Sequence, residues 1–176
     1  MVGVYDELQA MVGSEEGPNK SIVEVTEAMI LHWCKAMDDR NPLYTNREYA
    51  RKSKYGGIIA PPPMAQTFCM DKPWPEPESK AKAPGYQDAL MDKLHKAGYT
   101  ETVATMNAME VLRPIRVGDK LSSKRRLASV SPEKTTRTGV GFFIINEQIY
   151  INQKGEVVCV QPFTTLHFKP PQARKE

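Results

Sequence analysis

The chain has 176 residues, which suits one domain with short tails. Hydrophobic residues make up 40% and charged residues 26%, so the composition is that of a globular chain and excludes a disordered one. No apolar run approaches the roughly 18 residues that span a bilayer, residues 1–16 lack the basic start of a signal peptide, and a net charge of +3 is too small to indicate nucleic-acid binding. We therefore expect a cytoplasmic protein.

Helical patterns occupy the first half of the chain. Residues 3–12 predict a short helix, and a loop through Gly17, Pro18 and Asn19 follows it. Thr26 is a typical N-cap for an amphipathic helix that ends near Asp38 and whose apolar face consists of Ile30, Trp33, Cys34 and Met37. The pattern then predicts a turn at 39–43, a short helix at 47–54 capped by Asn46, a buried helix at 64–70 after three prolines, a proline-rich loop at 71–84 and a helix at 86–96.

Strand patterns occupy the second half. Residues rich in β-branched and aromatic side chains form four segments at 102–113, 119–131, 136–152 and 156–168, with turns between them. Long antiparallel strands after a helical half predict an α+β domain whose curved sheet wraps the 64–70 helix. Because segment 140–151 is apolar on both faces, we expect a second subunit to cover the other face or a sheet edge.

The cysteines and the basic run indicate no metal, disulfide or nucleic-acid site. Cys34, Cys69 and Cys159 are far apart and each lies in an apolar stretch, so neither a zinc cluster nor a disulfide framework is indicated. Residues 124–126, Lys-Arg-Arg, lie in a predicted strand. They form either a solvated strand face or a contact with a phosphate-bearing ligand, such as coenzyme A, or with a partner subunit.

Three motifs in order resemble the MaoC-like acyl-CoA hydratases. The first is Asp-Asp-Arg-Asn-Pro-Leu-Tyr at 38–44, where that family has Gly-Asp-x-Asn-Pro-Leu-His. The second is Tyr-Gly-Gly-Ile-Ile-Ala-Pro-Pro at 55–62, and the third is the turn sequence at 112–121. The resemblance covers residues 22–169 and implies a hot-dog fold, in which a curved antiparallel sheet wraps a central helix. We accordingly expect an N-terminal helix and loop at 1–21, the hot-dog domain at 22–169 and a flexible tail at 170–176.

A narrower resemblance concerns residues 27–70, 92–99 and 141–148. They are similar to the MaoC-like N-terminal domain of the large subunit of actinobacterial steroid side-chain enoyl-CoA hydratases. That resemblance implies a small hot-dog partner subunit carrying an intact Asp/His pair, an acyl-CoA substrate and no cofactor beyond the coenzyme A thioester itself. The large subunit of this branch often continues into a domain that docks an aldolase, but this chain ends at Glu176, which weighs against direct aldolase docking.

The expected catalytic pair is altered in this chain. Hydration of a 2-enoyl thioester requires a base that activates water and donors that stabilise the enolate oxygen. The resemblance places an Asp and a His at Asp39 and Tyr44, and a tyrosine, with a pKa of about 10, is a poor base at neutral pH. It also places the oxyanion donor within Pro61 to Pro63, where proline has no N–H. Asp39, Asn41 and Tyr44 therefore predict a degenerate site, and a partner is expected to supply catalysis.

Several alternatives stay open on the sequence. Asp39 and Asn41 either cap the Asn-Pro turn or contact a ligand. Pro62, Met64, Phe68 and Met106 are the substrate-binding candidates, although the methionines and Phe68 also fit an ordinary core. We hypothesise that the former active site has become the pocket for the acyl or steroid end of the substrate. The alternative functions are an acyl-CoA-binding scaffold that docks a partner such as an aldolase, and a thioesterase, which would need a carboxylate absent from 61–70.

Overall fold

The computed structural model describes residues 3–21, 23–70 and 84–170. The helices within them are α1 (Val4–Gln9), α2 (Glu27–Met37), α3 (Pro42–Thr45), α4 (Arg47–Lys52), α5 (Met64–Phe68) and α6 (Tyr86–Lys96). The strands are β1 (Glu15–Lys20), β2 (Ile59–Ala60), β3 (Glu101–Asn107), β4 (Glu110–Val111), β5 (Ile115–Arg116), β6 (Ser122–Val130), β7 (Lys134–Thr135), β8 (Val140–Ile151) and β9 (Val157–Lys169). Apart from residues 84 and 170, the predicted proline-rich loop and flexible tail lie outside the described residues.

An antiparallel sheet in the order β1-β6-β8-β9-β3 dominates the fold. β4 continues the pairing along β9, β7 pairs with β8, and β2 with β5 forms a separate two-stranded ribbon. The predicted strands at 119–131, 136–152 and 156–168 are confirmed as β6, β8 and β9. The predicted strand at 102–113 is split into β3 and β4, and the break lies opposite Pro162, which has no N–H to donate to the ladder.

The predicted loop through Gly17, Pro18 and Asn19 is wrong. These residues belong to β1, the edge strand that pairs with β6, and the register shifts between Glu16 and Asn19. An edge strand tolerates a proline and an irregular register because one side of it needs no ladder hydrogen bonds. Turn-forming residues therefore mark a local irregularity here and do not end the strand.

The helical predictions are largely confirmed. The Thr26 side chain accepts a hydrogen bond from the Met29 N–H at 3.3 Å and so caps α2. Ile30 and Cys34 on its apolar face are buried, but Met37 is 62% exposed because the last turn of α2, residues 35–38, is exposed throughout. The helix predicted at 64–70 ends at Phe68, and Met70 lies beyond it in an exposed position.

Two apolar clusters form the core. The first joins α2 and α5 to the sheet through Ile30, Met64, Phe68, Tyr150 and Val158, among others. This packing confirms the prediction that the sheet covers the helix after the three prolines. The second cluster joins α1 and α6 to the other end of the sheet through Leu8, Leu90, Leu94, Leu127 and Phe142. The stretch of sheet between the two clusters carries polar side chains, and these line a cleft of about 640 Å³.

Candidate functional site

The turn after α2 uses the polar groups of Asp39 and Asn41 locally. The Asp39 Oδ1 atom accepts a hydrogen bond from the Asn41 N–H at 3.0 Å, and the Asn41 Oδ1 atom accepts one from the Leu43 N–H at 3.0 Å. The second bond caps α3. Both bonds are those expected of Asp and Asn beside an Asn-Pro turn. The fold therefore gives both residues a turn-forming role, whatever else they contact.

Tyr44 lies on α3, half-buried against the first core cluster. Burial raises the pKa of its phenol, and the negative charge of Asp39 raises that pKa further, while hydrogen bonding with Asn41 opposes the shift. The structure thus brings Asp39, Asn41 and Tyr44 together as predicted. Because the phenol holds its proton at neutral pH, Tyr44 can donate a hydrogen bond but cannot take a proton from water as a base.

The start of α5 offers no backbone donor to a substrate oxygen. Residues 61–63 are prolines, so the first backbone N–H of this segment belongs to Met64. That N–H donates to the Pro61 carbonyl at 3.0 Å, and the next two donate to the Pro62 carbonyl at 3.0 Å and the Pro63 carbonyl at 3.2 Å. The helix has no acidic residue, which also removes the carboxylate that a thioesterase would need.

A cavity of about 450 Å³ adjoins Tyr44 and the proline run before α5. It is lined by Tyr44 and Pro62 with Leu43, Ile59 and Ile115, and also by the basic residues Lys54 and Arg113. Of the four substrate-binding candidates, Pro62 lines this cavity, whereas Met64 and Phe68 are buried in the first core cluster. Met106 lies apart from them on β3 and is 50% exposed.

A larger cleft of about 640 Å³ lies on the sheet between the two core clusters. Its floor carries Asn146, Gln148 and Tyr150 of β8 and Gln161 and His167 of β9, and α6 faces this floor with Leu90 and Met91. This site was not predicted, because the pattern at 140–151 was interpreted as apolar on both faces. The sequence does contain a signal, since polar residues recur at alternate positions, at 146 and 148 on β8 and at 161, 165 and 167 on β9 with Phe163 among them.

The cross-strand pair of Tyr150 and Cys159 separates the two cavities. The two residues are direct neighbours in the β8–β9 ladder and both belong to the first core cluster. Tyr150 lines the cleft, and Cys159 lines the cavity at the degenerate site. The two cavities therefore share a wall built by the first core cluster.

The histidines show no catalytic pairing. His32 and His95 are exposed, and His167 is buried between two hydroxyls, with Nδ1 2.9 Å from Thr102 Oγ1 and Nε2 3.0 Å from Thr165 Oγ1. Burial lowers the pKa of His167, and the nearby His95 lowers it further. No carboxylate bonds to these three rings among the described residues. His167 is therefore a neutral hydrogen-bonding group of the cleft.

The basic run and the cysteines have ordinary structural roles, with one exception. Lys124 pairs with Glu15 at 2.9 Å and Arg126 pairs with Glu147 at 2.5 Å, which fits a charged strand face. Arg125, between them, instead lines the cleft and donates to Gln148 Oε1 at 3.4 Å. Cys34, Cys69 and Cys159 are free and buried, and burial raises the pKa of Cys69 and of Cys159 to about 11. Thiols of this kind are poor nucleophiles near neutral pH.

The lengths and hydropathy of the helices bear on membrane insertion. Among the residues that the structure describes, no helix has both the length and the apolar character needed to cross a bilayer.

Residues 10–161 match the family model described as the FAS1-like dehydratase domain region. The chain therefore belongs to this MaoC-like hot-dog family, as its motifs predicted. It is 37% identical over 173 residues to a probable enoyl-CoA hydratase alpha subunit of Thermomonospora curvata, covering 96% of this chain and 53% of that protein. It is 31% identical to the 3-oxo-4,17-pregnadiene-20-carboxyl-CoA hydratase alpha subunit of Mycobacterium tuberculosis, covering 97% of this chain and 54% of that protein.

A solved structure supports the fold. The chain aligns with one from the ChsH1-ChsH2 complex of Mycobacterium tuberculosis with a TM-score of 0.79 and 27% identity, covering 97% of this chain and 96% of that one. The predicted hot-dog fold is therefore confirmed. The chain spans about half the length of the two curated hydratase subunits that it matches.

Proposed function

We propose that this chain is the non-catalytic subunit of a heteromeric 2-enoyl-CoA hydratase, in which it forms the dimer and part of the substrate pocket. The observation that carries the proposal is the double loss at the degenerate site. Tyr44 replaces the expected histidine, and the N–H groups of residues 64–66 are all used by the proline carbonyls before them. Hydration needs both a base and an oxyanion donor, so both must come from another chain.

The partner expected from the proposed function is a small MaoC-like hot-dog subunit with an intact Asp/His pair. The edge strand β3 favours such an association. All seven of its residues are exposed, and it pairs with β9 along one edge while its other edge pairs with no described strand. Val103 and Met106 on β3 and Phe163 on β9 add exposed apolar area beside this edge. Strand addition at an open edge gives main-chain hydrogen bonds, and burial of the apolar side chains adds to them.

The substrate that we propose is a steroid side-chain acyl-CoA in β-oxidation, with coenzyme A as part of the substrate and no further cofactor. Support comes from the M. tuberculosis relative, which is named as a steroid carboxyl-CoA hydratase subunit. The cavity at the degenerate site is the first candidate for the acyl pocket. With Leu43, Ile59 and Ile115 in its walls, it suits an apolar group, and Pro62 would contact it there.

Co-expression tests this function directly. The chain purified alone should not hydrate any 2-enoyl-CoA, and co-purification with a small hot-dog chain bearing an intact Asp/His pair should restore hydration of a polycyclic enoyl thioester. Mutation of that partner's histidine is the matched control and should abolish the restored activity. Robust hydration by this chain alone would contradict the proposal. Capture of an aldolase without any hydratase chain would instead favour the scaffold function.

A further inference from the structure

The larger cleft differs in chemistry from the cavity at the degenerate site. Seven carboxamide side chains line it, together with the hydroxyls of Tyr150, Thr102 and Thr165, and no Asp or Glu is among its described lining residues. Its volume of about 640 Å³ lies within the range of roughly 300–1,000 Å³ that is usual for small-molecule sites. An empty apolar core would not need so many hydrogen-bonding groups, and each of them is costly to bury without a partner.

The hydrogen bonds on the floor of the cleft form a donor-to-acceptor series that runs from Tyr150 through Gln161 to Asn107. The Tyr150 hydroxyl donates to Gln161 Oε1 at 2.7 Å, and the Gln161 Nε2 group donates to Asn107 Oδ1 at 3.0 Å. Because the Asn107 Oδ1 atom accepts the hydrogen bond from Gln161, the Asn107 NH₂ group is the last donor of this series of hydrogen bonds. Asn107 is exposed on β3, at the open edge of the sheet. An amide N–H at this place is suited to a ligand carbonyl or hydroxyl oxygen.

The charge of the cleft favours a neutral ligand. Arg125 is the one Lys or Arg among the described lining residues, and Glu16 lies directly opposite it in the β1–β6 ladder, so the two side chains share one face of the sheet. Both charges act on Tyr86, whose pKa is raised to about 12 mainly by burial, while Arg125 lowers it and Glu16 raises it. A carboxylate on the ligand would therefore gain little binding free energy from Arg125, because Glu16 already offsets the charge of that side chain. The opposite wall, with Leu90 and Met91 of α6, suits an apolar ring or chain.

We propose that this cleft binds the far end of a bulky acyl group and selects for one that carries a neutral oxygen, a ketone or a hydroxyl, through Asn107 supported by Gln161 and Tyr150. This inference rests on the proposed function, and it assigns the oxygen-bearing end of the substrate to the cleft rather than to the cavity beside Tyr44. The cleft opens at β3, where the partner is expected to join, so an acyl group held by the partner's catalytic residues enters it from that edge.

The test compares two enoyl-CoA thioesters that share one polycyclic skeleton, one with a ring ketone and one without. In the complex with the hydratase partner, Asn107→Leu should lower kcat/KM for the ketone thioester on the order of tenfold, mainly through KM, because the ketone loses a hydrogen bond. The loss for the ketone-free thioester should be several-fold smaller. Gln9→Leu, at an exposed carboxamide on α1 outside the cleft, is the control and should change neither value.

Two outcomes would overturn the inference while leaving the hydratase function intact. One is a wild-type complex that hydrates both thioesters equally well, and the other is an equal effect of Asn107→Leu on both. If the two chains together hydrate neither thioester, the proposed function fails, and calorimetric titration of this chain with the coenzyme-free ketone acid and its ketone-free analogue decides the inference separately. Tighter binding of the ketone acid, weakened in Asn107→Leu, supports the cleft, and equal or absent binding refutes it.

Discussion

Restoring the missing histidine should not restore activity. Tyr44→His recreates the Asp-x-x-x-x-His spacing with Asp39, on a turn that the Asp39 and Asn41 side chains already stabilise. If the missing base were the whole defect, the substitution would recover the contribution of a positioned general base, which is about 10²- to 10⁴-fold in rate. The backbone at the start of α5 predicts a different result.

The magnitude follows from the hydrogen bonds of residues 61–66. The three N–H groups that follow the proline run donate at 3.0–3.2 Å to the carbonyls of Pro61, Pro62 and Pro63, so none is directed at an incoming thioester oxygen. Loss of one oxyanion donor costs about 2.7–4 kcal/mol of transition-state stabilisation, or 10²- to 10³-fold in kcat. Tyr44→His should therefore stay at least about a hundredfold below an ordinary hydratase of this family.

The assay follows the loss of ultraviolet absorbance of the conjugated enoyl thioester, with the chain free of any partner. Circular dichroism and the unfolding midpoint establish that the variant folds, and Tyr44→Phe serves as the matched control without a base. Hydration by Tyr44→His within tenfold of a complete hydratase would show that the proline run does not matter. The double-loss explanation would then have to be abandoned.

Three further predictions concern stability, association and pH. Leu94→Ala should lower the free energy of unfolding by about 2–5 kcal/mol, because Leu94 is fully buried where α6 meets the sheet, whereas Leu31→Ala, at a 40% exposed position, should cost far less in the same urea titration. Val103→Lys with Met106→Lys should abolish co-elution with the partner without unfolding the chain, and unchanged co-elution would place the interface elsewhere. Burial lowers the folded-state pKa of His167 below 6.5, so the unfolded state takes up a proton at this residue first as the pH falls. The free energy of unfolding should therefore decline below about pH 6.5, and the decline should flatten in His167→Gln.

Local patterns were sufficient to predict most of the elements. The helix at 86–96 was predicted to the residue, and the three long strands to within a few residues, because periodicity and turn residues are properties of neighbouring positions. The loop predicted through Gly17, Pro18 and Asn19 was wrong because β1 depends on pairing with β6, more than a hundred residues away in the sequence. Propensity carries no information about such a partner.

The two parts of the candidate site differed in how far the sequence predicted them. The proximity of Asp39, Asn41 and Tyr44 could be predicted because the three lie within six residues, so that it is local. The cleft was not predicted because it is assembled from β3, β6, β8, β9 and α6, and register across these strands decides which polar side chains meet. Asn107 and Gln161, for example, are 54 residues apart in the chain.

The shared wall between the two cavities has a mechanical consequence. Tyr150 and Cys159 form one rung of the β8–β9 ladder, and each faces one cavity while its backbone belongs to the close-packed sheet. A molecule that displaces Tyr150 from the cleft side therefore changes the shape available beside Cys159 and Tyr44. The two cavities are thus separated by a single layer of side chains, and a substitution at Tyr150 or Cys159 should alter the shape of both.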